Sequence, residues 1–512
     1  MYTSSVTRIT GMASGLDTES IVKKLMNAES VTLNRLKQQQ QRQIWISDAY
    51  RQWNKDFFAF QQNTLFNMKL SSSYNTFDVS SSQENAVSGT GTSSAMAGTY
   101  NINKVESIAK PATFTGNVQV DRKDPIGPAT TISITVNNNP SNPDDSLTGS
   151  IQVEEGATVD KIVTAFNNAK DATGKSLGLQ AYYDPALNQF ILKTKATGDI
   201  TTIDFSKNTS AESKEVLKNL GMDLTFGDDP STPELEGAIF KGQDARFQFD
   251  GKTVTSSTNN VTVMGISLTL KSTTSLPTTL TASRNLDTEI KNIKDFVDKY
   301  NDLLDKLNKV YDEPVYRDYQ PLLDDQRSEM SEKQIEMWEE KAKSGLLRRD
   351  SIVADVISKM RSAMGAIVNN GSNINSLTSI GISSKSWQDK GKLYIDETKL
   401  RKALQDDPNA VTSLFSQIGD TTQGTSGLVH RLSDIMAAGM KELSKKAGSS
   451  GSSYYDQSVI GKLLNNIQSN ITRQTNILTN KENQYYKQFS AMESAIAKFN
   501  SQSSWLYQQM GG

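Results

Sequence analysis

From Ile460 to Met510 apolar residues return every three or four positions: Ile460, Leu464, Ile467, Ile471, Leu478, Tyr485, Phe489, Met492, Ile496, Phe499, Leu506 and Met510, with Trp505 beside them. No proline or glycine falls between Gly461 and Gly511, so the spacing predicts one amphipathic helix from about Tyr455 to Met510, roughly 80 Å long. A rod with one narrow apolar seam cannot bury it alone and needs a second segment or a second protein. The steps slip near Leu478 to Tyr485, which divides the seam into an inner and an outer part.

The first seventy residues predict a partner rod. Residues 1–15 are small and polar; Asp17 then has the chemistry of a cap, Glu19 suits the positive end of a helix dipole, and Leu16 and Ile21 have the spacing of a hydrophobic staple. Leu25, Leu33, Leu36, Ile44, Tyr50, Trp53, Phe57, Phe60 and Leu65 follow at roughly helical spacing, uninterrupted to Leu70. The Gln38 to Gln41 run weakens this seam at its middle, as a flexible point or a solvated face.

Between Ser71 and Arg284 the texture changes to Thr, Ser, Val, Gly and Asn with alternating apolar positions, the pattern of strands. Strands are predicted over Thr131–Asn137, Leu179–Tyr183, Gln189–Thr194 and Val261–Leu270, with turns at DPALNQ and at Asp250-Gly251. One helix interrupts, over Val159–Ala169, and with the hairpin after it suggests a small α+β module at about 150–200. Helices return over Leu286–Tyr311, after Ser331 (with Gln334 at capping-box spacing), over Ser351 to about Val368, through Leu404, and from Pro408. A short strand is expected at Lys392–Ile395, and the Gly-Ser-rich residues 447–453 read as a flexible joint.

The expected fold class is therefore α+β and multidomain: long terminal helices pairing as a coiled-coil stalk, a helical leg domain, and inserted β-rich head domains. The expected divisions are an N-terminal helical stalk at 1–70, a β-rich insert at 71–284, a helical leg domain with short strands at 285–446, and the C-terminal coiled-coil helix at 447–512. Termini separated by the whole chain can still pack together, which makes the β region a projecting insertion.

Composition narrows the function classes. A chain of 512 residues with a formal net charge of −2 and no long Lys/Arg block gives no footing for nucleic acid or an anionic membrane. It has no cysteine, which excludes disulfides, thiolate metal sites and a cysteine nucleophile. The N-terminus lacks a basic stretch followed by an apolar one, so no cleaved signal peptide is expected, and no apolar run is long enough for membrane insertion.

Catalytic candidates are few. His430 is the sole histidine, so no His-based metal site or triad is expected, and it reads as structural. The adjacent pairs Asp144-Asp145, Asp228-Asp229, Asp324-Asp325 and Asp406-Asp407 lie in polar or proline-flanked stretches, and neighbours in sequence point different ways, unlike an acid/base pair. Gly89-Thr90-Gly91 lacks the remaining glycine and the Lys-Ser/Thr of a phosphate loop. Trp45, Trp53, Trp338, Trp387 and Trp505 do not interleave with a basic stripe. No enzyme activity and no cofactor are expected; the seam residues point to assembly.

Particular segments carry a resemblance. GMASGLDTESIVKKLMNAE with SDAYRQW at the start, DDQRSEMSEKQIEMWEEKAKSGLLRRDSIV and SIGISSKSWQDKGKLYIDETKLRKALQDDPNAV in the second half, and KENQYYKQFSAMESAIAKFNSQSSWLYQQM at the end resemble the flagellar filament cap family, FliD or hook-associated protein 2. ATVDKIVTAFNNA with its hairpin is similar to the small insert of flagellins and hook-associated proteins.

The resemblance implies an extracellular cap at the flagellum tip, exported by the flagellar type III route, that retains flagellin and promotes its folding and insertion. It also implies a homo-oligomeric ring (a pentamer by family), a hook-filament junction protein as neighbour, and an export chaperone on the C-terminal region. The seam residues named above, from Leu16 to Phe57 and from Leu464 to Leu506, are then the stalk and filament contacts. A hook-filament junction protein, a surface adhesin and a tip-associated peptidoglycan hydrolase are the competing readings.

Overall fold

The computed structural model describes residues 15–222, 225–226, 235–236, 238–449 and 451–511; the opening GMAS and the Asp228-Asp229 pair lie outside them. The chain forms two compact units, one of Met1–Ser73 with Ile290–Gly512 and the other of Tyr74–Glu289.

In the first unit a helix starts at Thr18, where the Asp17 carboxylate accepts from the Ser20 amide at 3.0 Å, and runs to Glu29. The helix expected to run unbroken to Leu70 is interrupted at Ser30. That hydroxyl donates back to the Asn27 carbonyl at 2.8 Å, the local competition that makes serine a poor interior helix residue. A long helix then spans Val31–Phe60, widens into a π turn over Gln61–Leu65 and closes with Phe66–Met68.

Along this helix lies one that its sequence does not announce, Leu428–Ala447, with Leu428, Leu432, Met436 and Leu443 buried. Gly439 lets the two approach: a Cβ there would stand 3.0 Å from the Phe57 ring and 3.2 Å from Val356. Ser351–Gly365 packs behind. Its start is capped by Asp350, which also accepts from the Tyr50 hydroxyl at 2.5 Å. Glu397–Asp406 and Pro408–Ser416 complete the layer, capped by Asp396 and Asp407. The predicted box at Ser331 opens Glu332–Lys343, with Gln334 accepting from the Ser331 amide at 2.9 Å. The last helix is a single rod of 52 residues, Val459–Met510, about 78 Å long.

The second unit is β-rich with two apolar cores. In one, a five-stranded sheet with Gly98–Ser107 at its centre and a three-stranded sheet bury Ile102, Val105, Phe247, Leu268 and Leu280. Asp250 and Gly251 turn the hairpin between Ala245–Phe249 and Lys252–Ser256 with φ of 44° and 80°. The stretch expected as one strand over Val261–Leu270 is instead a hairpin, Asn260–Val263 and Ile266–Leu270. Met264 and Gly265 both take positive φ at its tip. Gly89 belongs to a strand of this core, and a Cβ there would meet Val79 at 2.9 Å, so its glycine serves close packing.

The other core gathers Ile132, Ile134, Ile162, Phe166, Phe190 and Phe205. The Val159–Asn167 helix packs on Leu179–Asp184, which pairs with Gln189–Thr194. A second helix, Ala211–Asn219, is capped by Ser210.

Candidate functional site

The seam is built where the rod runs beside the N-terminal helices. Its foot is fixed first: the Ser458 hydroxyl caps the rod by accepting from the Gly461 amide at 3.1 Å. Ile460, Leu464 and Ile467 are at most 3% exposed. Ile467, Ile471 and Leu478 form one buried cluster with Leu33, flanked by Met26 and Leu36. Each such burial stabilises by about 1.5–3 kcal/mol.

Polar rungs set the register. Gln40, in the middle of the glutamine run, donates to Gln468 at 2.7 Å and to the Tyr455 hydroxyl at 3.0 Å. Gln38 faces elsewhere and donates to the Pro321 carbonyl. Further along, Lys481 and the Tyr485 hydroxyl both donate to the Glu29 carboxylate, at 2.6 and 3.1 Å. These bonds hold the Glu29 carboxyl below its usual range, and Glu29 in turn raises Lys481.

The Gly-Ser joint expected to be flexible is gripped. Arg51 donates to the carbonyls of Ala447, Ser452 and Ser453 at 2.9, 2.8 and 3.1 Å and pairs with Asp456 at 3.6 Å. Its guanidinium also lies 4.9 Å from the centre of the Tyr454 ring, and Tyr454 donates to Asp48. Nothing in the sequence order links Arg51 to that joint.

The structure does not bring all the sequence-predicted seam residues to one place. Leu33 and Leu36 meet Ile467, Ile471 and Leu478. Tyr50, Trp53 and Phe57 are buried on the stretch that runs along Leu428–Ala447, with Trp53 tilted against Phe57 at 5.8 Å. Leu16 and Leu25 are exposed and Ile21 is half-buried, although Thr18 and Val22 of the same helix are buried.

On the rod, burial ends at Leu478. Tyr485, Phe489, Met492 and Ile496 are half-buried, and Phe499, Trp505 and Leu506 are 68%, 57% and 51% exposed, with Met510 at 84%. The outer part therefore passes from half-covered apolar side chains at Tyr485 to Ile496 to exposed ones from Phe499 onward.

The His430 Nε2 has no hydrogen-bond partner among the described residues, and burial with the nearby Lys69 charge lowers its pKa. Asp145 pairs with Lys175, Asp406 pairs with Lys402, Asp407 is a helix cap, and Asp324-Asp325 open a short helix. Among the described residues no three acidic, His or Cys side chains converge on a metal position, and no helix is long and apolar enough to cross a membrane.

Residues 242–501 match the family model of the flagellar hook-associated protein 2 C-terminus, and residues 14–112 that of the flagellar hook-associated protein 2 N-terminus. A flagellar hook-associated protein 2 of Halalkalibacterium halodurans is 30% identical, over 98% of this chain and 99% of its own. A B-type flagellar hook-associated protein 2 of Pseudomonas aeruginosa is 26% identical, over 82% of this chain and 81% of its own. The crystal structure of the D1-D2-D3 domains of the flagellar cap protein FliD from Escherichia coli has a similar fold. It gives a TM-score of 0.52 at 20% identity, over 82% of this chain and 99% of that one.

Proposed function

The chain belongs to the flagellar hook-associated protein 2 family, and from that premise we propose that it is the structural cap of a bacterial flagellar filament. It works at the distal tip, where it retains exported flagellin and promotes its folding and insertion. The observation that carries this reading is the rod's division: burial against its own chain ends at Leu478, and the apolar face opens through half-covered Tyr485 to Ile496 to exposed Phe499, Trp505 and Leu506. Tyr485, Phe489, Met492, Ile496, Phe499, Trp505 and Leu506 are the filament contacts in this account. Ile21 and Leu25 lie on the helix that runs beside the rod, with Leu16 just before its start, and join them.

Capping needs firm but reversible attachment. One buried anchor contributes about 1.5–3 kcal/mol, so a few hold a leg on the filament, yet flagellin burying its own apolar helices at the same place competes it off. A homo-oligomeric ring, a pentamer in our reading, whose subunit number differs from that of the lattice cannot satisfy every leg site at once. One gap stays open for the next subunit, and no nucleotide is consumed.

The same apolar face suits an export chaperone before assembly, and a hook-filament junction protein is the first surface met afterwards. The role is mechanical and not catalytic.

The test is electron microscopy of filament ends with the purified protein added, together with its mass in solution. End-on oligomers at one filament end support the cap; incorporation between hook and filament supports a junction protein and overturns it.

A further inference from the structure

A cleft of about 920 Å³ opens in the helical unit, within the size range of ligand sites. One wall is the Ser351–Gly365 helix, the floor is the Leu286–Asp312 helix around Tyr300, and the opposite wall is the loop that carries Trp387. None of the seam residues lines it.

Its charge is unevenly settled. Lys390 is paired with Asp312, and Lys392 with Asp305 at 2.5 Å. Arg361 has no carboxylate in salt-bridge reach among the described residues, although its stem is seated against Gly391, where a Cβ would stand 2.7 Å from its Cγ. Ser358 and Ser362 flank it on the same exposed helix face.

Two further features mark the cleft as built to receive something. Tyr300 is fully buried in its floor, and its hydroxyl has no hydrogen-bond partner among the described residues. Leaving such a group unsatisfied costs about 1–3 kcal/mol. At the rim the Trp387 indole is 84% exposed, whereas Trp45 and Trp53 are 8% and 7% exposed.

We propose that this cleft is a peptide site: it takes an extended segment of a partner chain, with an Asp or Glu carboxylate on Arg361 and the neighbouring apolar side chain on Trp387. A single free guanidinium between two hydroxyls matches one carboxylate, for which Arg supplies two parallel N–H bonds. It does not match a phosphate chain, which needs several cations or a cradle of amides. Exposed Trp and Arg side chains lining one cleft are the residue types that dominate peptide and protein interfaces. Gly365, beyond Ser362 on the same wall, would meet nothing within 4 Å if it carried a Cβ, which leaves room for a peptide backbone. The inference stands on the cleft and not on the rod, so its failure leaves the capping account untouched.

The probe is a fluorescein-labelled peptide, Ala-Glu-Leu-Glu-Leu-Ala, against its twin with Gln for Glu, read by fluorescence polarisation on the full chain. The acidic peptide is expected to bind with a Kd of ~0.1–1 mM, and the twin at least roughly tenfold more weakly. Arg361→Ala and Trp387→Ala, both on exposed side chains, each weaken the acidic peptide by roughly tenfold, while Lys359→Ala, on the same helix but paired with Asp355, does not. Equal binding of the twin, no binding at ~10 mM, or Arg361→Ala and Trp387→Ala proteins that bind like the parent each overturn the proposal. The twin comparison on the parent protein decides the matter even if a variant fails to fold.

Discussion

Leu464 and Phe499 belong to the same stripe of the same helix, 35 residues apart, yet the structure predicts opposite consequences for their loss. Leu464 is 0% exposed near the rod's foot, so Leu464→Ala removes buried methyl groups and leaves a cavity, costing about 2–5 kcal/mol. Phe499 is 68% exposed, and Phe499→Ala changes the stability of the free protein by less than about 0.5 kcal/mol. On the filament the order reverses: the Phe499 anchor is worth up to about 1.5–3 kcal/mol when covered, so its loss weakens tip binding by roughly 10- to 100-fold per leg.

Urea unfolding followed by far-ultraviolet circular dichroism gives the first pair of numbers, and titration of sheared filaments with labelled protein gives the second. A Phe499→Ala protein as destabilised as Leu464→Ala, or one that binds tips like the parent, would refute the division of the rod into locked and presented halves.

Other outcomes follow from the same geometry. Arg51→Ala removes three charge-assisted bonds to the joint and costs about 1.5–3 kcal/mol locally; hydrogen exchange should rise over residues 447–456 before it rises in the rod. Because the Glu29 pKa is lowered in the folded chain, its contribution is present above the ordinary value of 4.5 and is lost as pH falls through the lowered one. Protection in Thr18–Glu29, corrected for the intrinsic slowing of amide exchange in acid, should therefore fall on acidification, and Glu29→Gln should remove that dependence. Glu289, 0% exposed and bonded to Arg284 at 2.6 and 2.9 Å, loses its charge in Glu289→Gln and with it the buried ion pair to Arg284, a cost of about 3–5 kcal/mol measurable by thermal unfolding. Gly251→Ala meets no atom within 4 Å but must adopt a φ of 80°, so a loss of about 1–2 kcal/mol isolates the backbone cost of that turn.

Local signals were legible wherever chemistry and period agreed. The rod declares itself through 49 positions without a breaker between Gly461 and Gly511, and Asp17, Ser331, Asp396 and Asp407 each sit where a cap is needed. Asp250-Gly251 carries a residue pair whose left-handed preference shows in sequence, whereas Met264-Gly265 makes a turn of the same kind with a residue that gives no such sign.

The helix Leu428–Ala447 went unread because Gly439 interrupts it, and that glycine answers to Phe57, hundreds of residues earlier. For the same reason the N-terminal seam could not be apportioned: Tyr50, Trp53 and Phe57 keep the helical period of Leu33 and Leu36 but lie on the stretch packed along a different partner. The joint at 447–453 looked free by composition, and only the fold brings Arg51 onto it. Within the candidate site, period alone supplied the stripe, while the point at which its cover ends depends on where the opposite helix runs.

The central claim is that the outer rod attaches the protein to the filament and contributes little to its own fold. The direct measurement removes residues 485–512 and counts occupied filament ends by electron microscopy, with unfolding of the truncated protein as control. The account predicts a truncated protein that unfolds with nearly the parent's stability and leaves filament ends bare. A truncated protein that is folded and still occupies those ends contradicts it.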